Sequence, residues 1–184
     1  MTTKSESGSS SHAGDSRLAG ILGRRSIRLY TDQSVSESLV NDILRAAMTA
    51  PSAGNQQPWH FIVIRDRAVL DAVPTFHPYA GMIRKASVAI LVCGDERLEK
   101  FKGYWVQDCS TAAENILLAI HLLGLGGVWL GIYPGADRIK GCAELFHLPT
   151  GVTPLCLIPF GYPAEVKGPE DRFRTDRIHQ NVWG

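Results

Sequence analysis

Two short stretches of the chain concentrate groups that could hold a ligand, and neither contains a nucleophile with its base. In "RRSIRLY", Arg24, Arg25 and Arg28 surround Ser26. The planar fork of N–H donors on arginine matches the oxygens of a phosphate, and a serine hydroxyl adds a further donor, so this spacing describes an anion clamp. A solvated basic face is the other reading of the same residues. In "PSAGNQQPWHF", residues 51–61, a proline, three small residues and three side-chain amides collect neutral hydrogen-bonding groups with no acid among the first nine positions. Taken alone, that stretch also reads as a helix stop made of turn-forming residues. A second basic cluster, Arg172, Arg174 and Arg177, lies near the other terminus, which suggests that the two ends meet around one anion.

The chemistry that is missing narrows the choice. No G-x-G-x-x-G, G-x-x-x-x-G-K-[ST] or G-x-S-x-G occurs, so dinucleotide folds, P-loops and serine elbows are not indicated. Six histidines lack H-x-H or H-E-x-x-H spacing, and four cysteines (Cys93, Cys109, Cys142, Cys156) form no C-x-x-C, so no metal site is expected. If the chain is an enzyme, a bound cofactor carries the reaction.

The elements that must position these groups follow from periodicity. "SVSE", residues 34–37, fits a capping box and predicts a helix from about residue 35. Leu39, Val40, Ile43, Leu44 and Ala47 recur at helical spacing until Pro51, so the amide-rich stretch is the exit loop of an amphipathic helix. "HFIVIRD" and "ASVAILVCGD" read as strands, the second more deeply buried, with a helix and an irregular segment around Pro74 and Pro78 between them. From Tyr104 to Leu123 a long helix, apolar around much of its girth, closes at Gly124. "GGVWLGIYP" and "TPLCLIPFGYP" read as two more strands around a helix over about residues 136–147. Strands alternate with helices, which gives a mixed α and β class.

With 184 residues, 45% of them hydrophobic, the chain suits one domain. Its 19 basic and 18 acidic residues create no general attraction to nucleic acid or anionic membranes. Residues 1–16 are small and polar and read as a disordered tail, leaving 17–184 as the folded domain of a soluble, cytoplasmic protein with buried free thiols. Phe173, Ile178, Val182 and Trp183 on the charged C-terminal tail need a surface to pack on, the chain's own or a partner's.

Four stretches in order, "RRSIRLYTDQSV", "AAMTAPSAGNQQPWHFIVI", "ENILLAIHLLGLGGVWLGIYP" and "LCLIPFGYPAE…DRFRTDRIHQNVW", resemble the FMN-dependent nitroreductase family from about residue 20 onward. The resemblance implies an α+β fold on a central mixed, largely antiparallel sheet flanked by helices. It also implies an interwoven homodimer with FMN at the interface and C-terminal arms on the partner. Arg24, Arg25, Ser26 and Arg28 then take the FMN phosphate and ring edge. Pro51, Ser52, Ala53, Asn55 and Gln57 form a neutral wall reaching the flavin from the other subunit. Leu130 and Gly131 back the flavin, and Arg172 matches the second residue of the family's C-terminal phosphate contact, whose first position is here Glu170. Tyr104 and Trp105 are candidates for an aromatic wall of the substrate pocket or for packing at the start of the central helix.

The implied activity is ping-pong hydride transfer from NADH or NADPH through the flavin to a nitroaromatic, quinone or flavin acceptor. Other readings within the fold are reductive dehalogenation, flavin fragmentation, or flavin binding without rapid turnover.

Overall fold

The computed structural model describes residues 16–168 and 170–183; the expected N-terminal tail lies outside them except for Ser16, which opens a 3-10 turn (Ser16–Leu18). The turn leads into the short helix α1 (Ala19–Gly23), which rests against the long helix that follows later in the chain.

Helix α2 (Glu37–Met48) is capped by Ser36, whose hydroxyl accepts from Leu39 N at 3.3 Å. The cap expected at Ser34 is therefore two residues too early. Val35 is buried with Val40 in one core cluster, the arrangement of a hydrophobic staple, so the chain can turn into the helix only after Val35 is seated. Val40, Ile43 and Ala47 are buried, with Leu39 and Leu44 packed beside them, as the spacing predicts.

The sheet consists of β1 (Trp59–Ile64), β2 (Val88–Asp95), β3 (Gly126–Gly127), β4 (Leu130–Gly131) and β5 (Val152–Gly161). Strand order is β1-β2-β5-β3, with β4 also on β5, and every strand pairing is antiparallel. Among the described residues the parallel element is a bridge between Ser26 and Gly127.

Strand β2 is buried along its whole length and feeds two cores by alternation. Val88, Ile90 and Val92 face α2 and α4 (Trp105–Leu122). Ala89, Leu91 and Cys93 face the other layer, where α3 (Arg67–Ala72) and α5 (Ala136–Phe146) contribute Leu70 and Cys142. Shortening a fully buried core residue such as Ile116 or Leu91 to alanine costs about 2–5 kcal/mol. All four cysteines are free and buried, and burial pushes the Cys93 thiol up to about 12.

The stretch "GGVWLGIYP" does not form the one strand its composition suggests. Register places Val128 opposite Pro159 of β5, which has no N–H to give, so the ladder is interrupted and β3 and β4 are separate pieces. Pro154 lies beside the irregularity where β2 and β5 shift register between Val92 and Cys93. Helix α4 ends as predicted at Gly124, where φ is +75° and Leu125 N returns to Ile120 O at 2.9 Å.

Candidate functional site

The arginine-serine stretch is held in place by the sheet edge and by the C-terminal segment. Ile27 N donates to Gly127 O at 3.0 Å, Thr31 N to Tyr162 O at 2.9 Å and Ala164 N to Leu29 O at 2.9 Å. The Glu165 carboxylate accepts from Arg28 N at 2.5 Å and Leu29 N at 3.2 Å, and lies 3.5 Å from Lys167 Nζ. Those contacts, the Arg28 N–H foremost, hold the Glu165 carboxyl below its ordinary range. Residues 25–31 and 162–168 therefore meet, but through Tyr162, Ala164, Glu165 and the neighbouring Lys167 and Gly168 rather than through the second arginine cluster. Arg172 is exposed and paired with Glu170, and Arg174 with Asp176 at 2.8 Å.

Within the stretch the three arginines differ. Arg25 spends Nε on Gly168 O at 3.0 Å and Nη1 on Arg24 O at 2.7 Å and Leu22 O at 3.1 Å. Its Nη2 is buried and has no partner among the described residues. Arg24 Nε lies 3.5 Å from Glu114 of α4, and Arg28 is exposed. Lys167 Nζ donates to Ser26 O at 2.7 Å.

The amide-rich loop is a tight structure with three positive φ values, +53° at Gly54, +54° at Asn55 and +48° at Gln57. Residues with polar side chains enter this left-handed region more readily than branched ones, and glycine most readily. Gln57 N donates to Ser52 Oγ at 3.0 Å and Gln57 Nε2 to Asn55 Oδ1 at 2.7 Å. Asn55 and Gln57 are exposed, as is Pro51, while Ser52 and Ala53 are half-buried. Gln56 has the opposite role. It is 7% exposed and hydrogen-bonded to Asp108, itself 4% exposed.

One face of α4 serves both stretches. Asp108 and Thr111 bind Ala53 N and Pro51 O, at 2.9 and 3.1 Å, and Glu114 faces Arg24. Asp108 and Glu114 are six residues apart, about 9 Å along a helix axis.

Leu130 is buried and Gly131 half-buried, and the Gly131 carbonyl accepts from both His77 Nε2 at 3.0 Å and Arg138 Nη1 at 2.9 Å. Burial lowers the pKa of His77, keeping the ring neutral with its proton on Nε2. Trp105, 6% exposed, packs into the core with its ring 5.0 Å from that of Tyr133, whereas Tyr104 is exposed beside Phe101. Cavities of about 330 and 180 Å³ open elsewhere, beside Phe76 and Glu144 and beside His60 and Arg97.

Gln56, Asp108, His77, Arg138 and Glu165 are positioned by the structure and not singled out by sequence reasoning, whereas Lys167 is readable from the sequence as a cation able to compensate for Glu170. One signal was present: Asp108 interrupts the apolar stripe of α4 between Trp105 and Ala112. The others are joined to their partners only by the fold.

The Nitroreductase family profile matches residues 21–75 and 77–162. A protein of Methanothermobacter thermautotrophicus, provisionally named an NADH dehydrogenase/NAD(P)H nitroreductase, is 54% identical over 90% of this chain and 87% of its own length. A crystal structure of a like-named protein from Bacteroides thetaiotaomicron superposes with a TM-score of 0.88 at 43% identity, over 92% of this chain and 99% of that one. A nitroreductase from Desulfovibrio desulfuricans, provisionally so named and solved in complex with FMN, superposes with a TM-score of 0.80 at 34% identity, over 93% and 99%.

Proposed function

The chain belongs to the nitroreductase family, and from that premise we propose that it is an FMN-dependent NAD(P)H oxidoreductase with a nitroaromatic, quinone or flavin-type electron acceptor. The observation that carries this reading is Arg25 Nη2, a buried guanidinium nitrogen without a partner among the described residues, on a side chain whose Nε binds Gly168 O while the adjacent Lys167 binds Ser26 O. A buried unpaired donor is costly, and an anion such as a cofactor phosphate satisfies it. The residues fit FMN: cationic donors at Arg24, Arg25, Arg28 and Lys167, and neutral amides at Asn55 and Gln57.

Bound FMN supplies hydride acceptance and release at its ring. Arg24, Arg25, Ser26 and Arg28 hold the phosphate end, and Arg172 assists once released from Glu170. Pro51, Ser52, Ala53, Asn55 and Gln57 of the second subunit give a wall that binds without adding charge. Leu130 and Gly131 back the ring through their main chain, with His77 and Arg138 fixing the Gly131 carbonyl. Tyr104 offers an exposed aromatic surface to a planar acceptor, while Trp105 is packed in the core against Tyr133. The sequence has no separate nicotinamide-binding motif, so donor and acceptor use one site in turn and steady-state kinetics are ping-pong. The folded domain, residues 17–184, acts as a homodimer whose C-terminal arms lie on the partner. Four reduced, buried thiols suit a cytoplasmic setting.

The test is an absorption spectrum of the purified protein after gel filtration, then anaerobic addition of NADH and of NADPH. Flavin bands on a dimer that bleach with either donor support the proposal. Bands that persist indicate flavin binding without rapid turnover, and no bands after FMN addition overturn the proposal.

A further inference from the structure

Asp108 is a buried carboxylate whose side-chain partners among the described residues are amide donors. Oδ1 accepts from Ala53 N at 2.9 Å and Oδ2 from Gln56 Nε2 at 2.6 Å. A buried charge is tolerated only when such bonds satisfy it, and the first turn of α4 adds the favourable end of a helix dipole. Gln56 is fixed at its other end, where Oε1 accepts from Lys100 N at 2.8 Å and Phe101 N at 3.1 Å. A continuous line of hydrogen bonds thus runs from the main chain of the 51–57 loop, through two side chains, to the main chain of residues 100–101. A second contact ties the same segments. Lys100 Nζ reaches Gly54 O at 3.3 Å, and a Cβ on Gly54 would stand 2.4 Å from the Phe101 ring.

We infer that Asp108 and Gln56 are positioning residues that make the 51–57 loop and the 99–104 segment one cooperative unit, so that a ligand ordering the loop also orders the neighbouring aromatic segment. The inference rests on the reading of the 51–57 loop as part of the FMN site. Its particular content is polarity. Gln56 presents its oxygen to two N–H groups and its nitrogen to a carboxylate. Asp108→Asn sets NH₂ against a donor whichever way the amides turn, and Gln56→Glu sets carboxylate against carboxylate. Combining the two restores every bond: Asn at 108 accepts from Ala53 N and donates to Glu at 56, whose other oxygen keeps Lys100 N and Phe101 N. The charge moves to the neighbouring side chain and the geometry is retained.

The experiment uses the full chain carrying D108N, Q56E or both. Amide hydrogen exchange is followed in the protein as purified, and FMN dissociation by fluorescence titration. Each single variant is expected to speed exchange at Lys100, Phe101 and Ala53 and to weaken FMN binding, each by about tenfold or more, as loss of a buried charge-assisted bond requires. The double variant is expected to return both to within about threefold of wild type, a reversal that coupling within one network requires. If D108N leaves exchange at Lys100 and Phe101 unchanged, or the double variant is no better than the singles, the inference is overturned. Singles that do not fold, with a double variant that folds and exchanges as wild type, support it. Wild-type protein that does not bind FMN overturns the reading of the site, while the exchange results still decide the coupling.

Discussion

Lys167 Nζ donates to the main-chain carbonyl of Ser26 at 2.7 Å, joining two residues separated by 141 positions in the chain. The same cation lies 3.5 Å from Glu165, whose carboxylate is anchored on Arg28 N and Leu29 N. The C-terminal segment thus folds the arginine-serine stretch into a fixed shape and sets a lysine beside it. Arg25, braced by three carbonyls and with Nη2 unpartnered among the described residues, is the rigid member of the proposed clamp. Arg25→Met is expected to weaken FMN binding by roughly tenfold to a hundredfold, the loss of one charge-assisted hydrogen bond, in a fluorescence titration. Arg25→Lys recovers little, because an ammonium cannot reproduce the fork. Unchanged affinity in both variants would remove Arg25 from the site.

Glu170 occupies the position at which the family resemblance leads one to expect a basic residue, and it captures Arg172 in an exposed ion pair. The pair holds the Glu170 carboxyl below its ordinary range. Glu170→Gln releases the guanidinium and removes a negative charge, so FMN affinity is expected to rise; Arg172→Ala is expected to lower it. Both effects shrink as salt is raised from low ionic strength, because exposed charges are screened. Titrations at two salt concentrations check the pair, and no response to either change would place Arg172 away from the anion.

His77 links stability to pH. Burial lowers its pKa below the ordinary 6.5, and the nearby Arg138 charge acts in the same direction, while the Gly131 carbonyl bond opposes them. The folded ring is neutral, because burial outweighs the two main-chain contacts, with Gly131 and with His77 itself, that favour a second ring proton. The unfolded chain takes up that proton first as pH falls. Stability is therefore full above about pH 6.5 and declines below it until the folded ring also titrates. Urea midpoints measured from about pH 7 to about pH 5.5 should fall more steeply for wild type than for His77→Phe. Parallel curves would show that His77 is not the group responsible.

Most of the core was legible from hydrophobic period: α2 buries Val40, Ile43 and Ala47, α4 buries Cys109, Ala113, Ile116, Leu117 and Ile120, and β2 alternates between two faces, whereas Leu123, which the same spacing selects, is exposed. The position of the α2 cap was not legible, since Ser34 and Ser36 are chemically equivalent and only the burial of Val35 chooses between them. The split between β3 and β4 had its cause in view at Pro159, but its effect depends on register with a strand about 30 residues earlier, which spacing cannot supply. The same limit applies to the site. Arg25 and the amide loop are read from local composition, whereas Lys167, Asp108 and His77 acquire their roles from contacts across the fold.

Gly94 and Trp105 test whether the Trp105 ring is a fixed core element or a movable wall. A Cβ on Gly94 would lie 2.3 Å from Trp105 Cε3, so Gly94→Ala must displace the indole or the strand. Overpacking of this kind is expected to cost about 1–3 kcal/mol, visible as a lower urea midpoint at unchanged slope. Full stability with altered acceptor selectivity would instead mean that the ring swings outward at little cost and that Trp105 lines the pocket.

The C-terminal arm carries its apolar groups away from the chain that makes it. Trp183 is 90% exposed and meets His179 in a stacked pair at 4.3 Å, while Phe173 and Val182 are also exposed. Leu18, Ile21, Leu22 and Leu122 leave a further set of exposed apolar side chains around α1 and the end of α4. A second copy that received the arm would bury both kinds of surface at about 25 cal/mol per Å² of apolar area before the costs of association. Truncation after Arg172 is therefore expected to convert a dimer to a monomer in sedimentation velocity and, on the proposal that the 51–57 wall comes from the partner, to weaken FMN binding. The point variant Trp183→Ala, which leaves the fold of each subunit intact, should shift the same equilibrium in the same direction and make FMN affinity depend on protein concentration. A monomeric wild type, or a truncated dimer with full FMN affinity, would assign the arm another role and place both halves of the site on one chain.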